Sequence, residues 1–164
     1  MTNPVHVELG PGELATAATI AALRQGVNRE AGKKNLKAGP QDVMTTELVG
    51  LYGELAFCKW ANVMPDLTTH LRAGSHDAIW RGFSVDVKST RNAQGDLYVD
   101  MRTDKRPDIY VLAHVDYATV RLLGWIPSDC VTIAARMRTS NLEPYRVPQS
   151  ELYSVTSTPT SHSE

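Results

Sequence analysis

Residues 77–88 read Asp77-Ala-Ile-Trp80-Arg81-Gly82-Phe83-Ser-Val-Asp86-Val-Lys88. From Phe83 onward the side chains alternate: Phe83, Val85 and Val87 fall on one face of a strand, and Ser84, Asp86 and Lys88 on the other. Arg81-Gly82 has the chemistry of a two-residue hairpin loop, which sets Trp80 opposite Phe83, Ile79 opposite Ser84 and Ala78 opposite Val85. Asp77 then faces Asp86. A four-residue loop keeps that register, whereas an odd-length loop breaks it. Opposed side chains stand about 4.5–5.5 Å apart at Cβ, where like charges repel. A divalent cation would turn the repulsion into ligation, and oxygen donors suit magnesium or manganese. Alone, Asp86 and Lys88 read first as a solvated ion pair on a half-exposed strand, the commoner arrangement.

Upstream, Asp42 to Ala61 carries a helical stripe of Leu48, Leu51, Leu55 and Cys58, widened by Tyr52, Ala56 and Trp60. Glu47, Gly50 and Glu54 share another face of the same helix. A glycine in a helix costs up to about 1 kcal/mol against alanine, so Gly50 and Gly53 signal close approach of another backbone. Glu13 to Leu23, behind Pro11, predicts an earlier helix ending near Gly26. The stretch from Arg24 to Pro40 is the most basic in the chain, with five basic residues against Glu30. It reads as a connector or as a phosphate-contacting loop built on Lys33, Lys34 and Lys37. Downstream, period-2 patterns predict strands over Leu97–Arg102, Ile109–Val115 and Thr119–Ile126. Pro127-Ser128-Asp129 is expected to cap a helix reaching Arg136. Tyr145–Val147 reads as a last short strand, and 155–164 as a frayed tail. The expected fold is α/β, a mixed β-sheet flanked by helices. One domain over 1–154 is divided into 11–40 (helix and basic segment), 42–126 (core) and 127–154 (helix and short strand).

A chain of 164 residues suits one domain, and its formal charge of -1 gives no general attraction to nucleic acid, so any basic surface is local. Cys58 and Cys130 lie in apolar surroundings and read as reduced, buried thiols of a cytoplasmic protein. No signal-peptide pattern or membrane-length apolar run is present. His70, His76 and Cys58 lack zinc-site spacing; His76 reads as a strand-edge residue and His114 as a core or edge histidine. Glu47 reads as helix solvation. Trp80, Trp125 and Tyr110 read as core. Arg91, Gln94, Arg102, Lys105 and Arg106 cluster in loops where phosphates could be gripped.

Asp77, an eight-residue spacer and then Asp86-Val87-Lys88 resembles the P-D…(D/E)-x-K signature of the PD-(D/E)XK nuclease superfamily. The helix bearing Gly53-Glu54-Leu-Ala is similar to the superfamily's first core helix, and the order helix, Asp strand, D-x-K strand, third strand spans roughly 44–126. His76 stands where the signature has proline, and Thr103–Asp108 is shorter than the helix that usually follows the third strand. The resemblance implies a restriction-endonuclease-like core and a small phage- or bacterial-type nuclease acting on DNA with Mg²⁺ or Mn²⁺. It implies Asp77, Asp86, the Val87 carbonyl and Glu54 as metal ligands, with Asp77, Asp86, Lys88 and Glu54 as the catalytic set. Lys88 would position or activate the attacking water and offset charge. Lys33, Lys34, Lys37 and Arg91 are the expected DNA contacts. With no room for a separate sequence-reading domain, a structure-selective or general nuclease is favoured, with endonuclease and exonuclease modes and a homodimer all left open. The alternative is an inactive nuclease-fold protein that binds nucleic acid or a partner.

Overall fold

Arg81 and Gly82 take φ values of 51° and 86°, the left-handed pair that joins two strands without opposing their twist. The computed structural model in which they do so describes residues 3–30, 43–69, 76–102, 105–138 and 140–159. The first hairpin strand is Ala78–Trp80 (β2) and the second Phe83–Thr90 (β3). They pair Trp80 with Phe83, Ile79 with Ser84 and Ala78 with Val85, the register expected from a two-residue loop.

Around β3 a five-stranded sheet is assembled. Strand β5 (Ile109–Asp116) lies parallel to β3, and β6 (Thr119–Pro127) lies antiparallel to β5. The outer strand β1 (Val5–Glu8), which the sequence reading did not foresee, pairs antiparallel with β6. The order is β1-β6-β5-β3-β2, a mixed sheet of α/β type. A parallel neighbour requires a crossover, and here 91–108 supplies it without a described helix. The third predicted strand shrinks to Leu97–Val99 (β4) and leaves the main sheet, pairing instead with Tyr145–Val147 (β7).

Two helices cover one face. Helix α1 runs Pro11–Glu30, well past the predicted end near Gly26. It opens with one arm of a capping box, the Gly10 N–H donating to Glu13 Oε2 at 2.6 Å. Its Ala17 and Ala21 are buried against α2 (Val43–Ala61). Leu51, Leu55, Phe57 and Cys58 of α2 meet Val85, Val87, Val111 and Ala113 of the sheet in the main core. A second core on the opposite face joins Tyr110, Leu112 and Ile126 to Leu97, Val99 and Val147.

The helix expected to reach Arg136 is a 3-10 turn, Ser128–Cys130, and one short helix, α3 (Val131–Ala134), with no side-chain cap. The Ser128 hydroxyl donates instead to the Pro107 carbonyl, which takes it away from the cap. Nor is 155–159 frayed. Trp125 Nε1 donates to the Ser154 carbonyl at 2.9 Å and to Ser157 Oγ at 3.1 Å, and Val155 is buried. Among the described residues no helix is long and apolar enough to cross a membrane.

Candidate active site

Pairing of β2 with β3 stops at Ala78, so from Asp86 onward β3 has, among the described residues, no strand on its outer side. Asp77 takes over where the strand ends. Its backbone N–H donates to the Val85 carbonyl at 2.7 Å, and its carboxylate Oδ2 accepts the Val87 N–H at 2.8 Å. A side chain thus continues the ladder, and Asp77 is 9% exposed in doing so. Because the N–H and C=O of one strand residue project to the same side, the Val87 carbonyl also faces this open edge.

Asp86 and Lys88 lie on the face away from α2, since Val85 and Val87 point into the α2 core. Lys88 Nζ stands 2.9 Å from Asp86 Oδ2, with the lysine side chain 41% and the aspartate side chain 20% exposed. Burial alone would lower the Lys88 pKa. The charge and hydrogen bond of Asp86, followed by the charge of Asp77, outweigh it and hold the ammonium above the ordinary lysine value. Asp77, Asp86 and Lys88 therefore share one neighbourhood, and Lys88 is a cation throughout the neutral range. Tyr110, opposite Asp86 in the parallel pair with β5, completes this face; burial, then the Asp86 charge, raise its pKa.

The expected repulsion between the two aspartates is already relieved inside the protein, by Lys88 on one and by the Val87 N–H on the other. The donor chemistry suits a hard divalent cation: two carboxylates and an edge-facing carbonyl offer oxygen only. It is not a preformed cage, for among the described residues no three His, Cys, Asp or Glu side chains converge to hold a metal. Magnesium commonly binds through one or two carboxylates, water and substrate phosphate, and this donor set matches that pattern.

Glu54 occupies the other side of the sheet edge, on α2. Its carboxylate lies 3.7 Å from Arg24 Nη1, and Glu47 lies 3.8 Å from the same nitrogen. Arg24 is buried at 7% exposure and also donates to the Thr68 carbonyl (3.0 Å) and the Asp66 carbonyl (2.8 Å). Glu47 is therefore an ion-pair partner of a buried arginine and not simply helix solvation. Glu54 and Asp77 still share a neighbour in the Cys58 thiol, whose pKa is pushed up to about 12 by burial and then by both charges. A thiol so raised is protonated near neutral pH and is a poor nucleophile. Cys130, expected to be buried, is partly exposed.

Gly53 explains how α2 comes so close. A Cβ built there would stand 2.0 Å from Ser89 Oγ and 3.3 Å from Ala113 Cβ. At Gly50 a Cβ would meet nothing within 4 Å, so this glycine does not serve the contact expected of it. Arg91 is exposed just beyond β3. Lys33, Lys34, Lys37 and His70 lie outside the described residues. His76 is exposed and acts through space on Asp108, whose carboxylate holds the N–H and hydroxyl of Ser84. His114 is buried, its Nδ1 accepting from Arg121 Nε at 3.2 Å.

Two residues at this site escaped the sequence reading. Arg24 was grouped with the basic stretch, although Ala17, Ala21 and Arg24 share one helical face and Glu47 and Glu54, seven apart, call for a cation between them. Tyr110 was assigned to the core, which it does enter, but its strand position also puts it beside Asp86. Comparisons with protein-family models, curated proteins and solved structures found no match.

Proposed function

We propose that the chain is a metal-dependent nuclease that hydrolyses phosphodiester bonds in DNA. One observation carries the reading: along the edge of β3 Lys88 is paired with Asp86, and Asp77 holds the Val87 N–H between them in sequence, so two carboxylates and an ammonium lie along one strand. Asp77 and Asp86, with the Val87 carbonyl, would hold magnesium or manganese. Such an ion, when bound, polarises the scissile phosphate and lowers the pKa of a coordinated water.

The chain's own residues divide the remaining work. A lysine whose proton is held more tightly than usual is a poor base, so the Lys88 side chain orients the attacking water and offsets charge on the five-coordinate phosphorus. Fixed positive charge aimed at developing negative charge is the most effective use of such a group. Asp77 has a structural duty as well, since the Val87 N–H depends on it. Glu54, turned toward Arg24, supports the site from the α2 side. Lys33, Lys34, Lys37 and Arg91 are proposed to contact phosphates along the strand, supplying affinity without reading sequence.

A second reading keeps the nuclease-like arrangement without turnover: a protein that binds nucleic acid or a partner. It is favoured by the neutralisation of both carboxylates by the protein's own donors. Incubation with linear, circular and branched DNA, in magnesium and in chelator, separates the two. Magnesium-dependent cleavage supports the nuclease. Binding that survives chelator, with no cleavage of any substrate in magnesium or manganese, overturns it in favour of the second reading.

A further inference from the structure

Where the β4–β7 ribbon ends at the pair Val99 and Tyr145, the chain leaves a cleft of about 200 Å³. Arg102, Arg106 and Arg138 line it, opposed by Asp100 and Glu143, so three cations face two carboxylates. Each guanidinium is already aimed by the protein. Arg102 is clamped on the Asp100 carboxylate, with Nη2 at 2.6 Å. Arg106 Nη2 donates to the Met101 carbonyl at 3.0 Å. Arg138 Nη1 donates to the Glu143 carbonyl at 2.9 Å, and its guanidinium lies over the Tyr145 ring, 3.9 Å from the centroid.

The cleft belongs to the side of the sheet that carries Asp86 and Lys88, because the ribbon packs on Tyr110 and Leu112. Two electrostatic links join it to the candidate site. Lys88 acts on Asp100, whose carboxyl falls to about 2 chiefly through its hydrogen bonds to Arg102. Arg106 acts on Tyr110, the strand neighbour of Asp86. A strand with its scissile phosphate at Lys88 must lead its next phosphate away from the site. A net positive cleft on the Lys88 side of the sheet, of that size, can take a phosphate and part of its sugar.

Arginine has five N–H donors in a planar fork, and the Glu143 carbonyl takes one of them at Arg138. The fork can grip a phosphate bidentately. Arg138 lines the cleft with its guanidinium over Tyr145, and a guanidinium plane is a group on which a nucleobase can stack. We propose that this cleft is the strand-anchoring subsite of the nuclease, in which Arg106 and Arg138 hold the phosphate next to the scissile one and Arg138 stacks its base. The proposal rests on the nuclease reading.

Affinity for a short fluorescent DNA is measured in chelator, where binding proceeds without cleavage, for wild type, Arg106→Ala, Arg138→Ala, Arg138→Lys and Arg136→Ala. Arg136 is paired with Asp96 and does not line the cleft. The two cleft alanine variants should bind about tenfold more weakly, with the slope of log affinity against log salt shallower by about one. Arg138→Lys should keep the slope yet lose affinity for single-stranded DNA, since an ammonium has no plane to stack. In magnesium, KM should rise further than kcat falls. Melting curves check folding throughout. If the cleft variants bind as wild type does while wild type cleaves, the anchoring proposal falls and the nuclease reading stands. If Arg136→Ala weakens binding as much as they do, the cleft has no special role and the proposal falls as well. If wild type never cleaves but the cleft variants still lose affinity, the nuclease reading falls and the cleft remains a DNA-binding surface.

Discussion

Lys88 and Asp77 are neighbours with different duties, and single substitutions separate them. Lys88→Ala should bind DNA and metal nearly as wild type does but cleave about 10²–10³ more slowly, because its charge is needed only where negative charge develops. Asp86→Asn should lose metal affinity and activity together. The Lys88 pKa is raised in the folded protein, so its ion pair with Asp86 is fully present below the unfolded lysine value. It is lost only as pH climbs through the raised value. The pH–rate profile should therefore show no inflection due to Lys88 between neutrality and the ordinary lysine range; a basic limb there that vanishes in Lys88→Ala would instead make it the proton acceptor. At Asp77 the contrast lies between charge and acceptor. Asp77→Asn retains an oxygen for the Val87 N–H and should melt near wild type while losing activity. Asp77→Ala leaves that buried N–H unpaired, which costs about 1–3 kcal/mol, and should melt measurably lower.

At the scale of elements, the two glycines of α2 should respond oppositely to alanine. Gly53→Ala drives a methyl into Ser89 Oγ, and overpacking of this kind costs about 1–3 kcal/mol. Gly50→Ala meets open space and should gain up to about 1 kcal/mol of helix propensity. Chemical denaturation of the two variants tests this directly; equal effects would mean that Gly53 is not the point of contact. Sequence alone assigned a common reason to both glycines, because spacing shows which residues share a face but not what lies against each one. The hairpin was legible to the residue because its register is decided locally, by Arg81-Gly82 and the alternation after Phe83. Strand β1 was not. Val5-His6-Val7-Glu8 is four residues long and becomes a strand only beside Thr119–Leu122. Likewise Leu97–Val99 looked like part of the main sheet, and only its pairing with Tyr145–Val147 assigns it elsewhere. Of the four expected catalytic residues, the three along one hairpin lie near one another, though the Asp77 carboxylate accepts the Val87 N–H where it was expected to oppose Asp86. Glu54, which depends on how a helix docks, pairs with an arginine assigned to a connector.

For the molecule as a whole, the absence of a third converging acid among the described residues bears on stability. Magnesium alone must compete with Lys88 and the Val87 N–H, so it should raise the melting temperature little. Magnesium with DNA should raise it by more than the sum of the separate shifts. A native-state ligand at a hundredfold excess over Kd stabilises by about 2.7 kcal/mol, enough to resolve in a melting curve. Melting wild type in chelator, in magnesium, and with a cleavage-resistant phosphorothioate DNA with and without magnesium checks this; a full shift from metal alone would mean a preformed cage. The place of β1 at the edge of the sheet has another consequence, in time. It is the first described element to leave the ribosome, yet its partner β6 does not begin until Thr119. Closing so long a loop is slow, and until it closes the backbone of Val5–Glu8 lacks its strand partner. Strand β1 is thus open to wayward strand pairing until Thr119–Leu122 have been made.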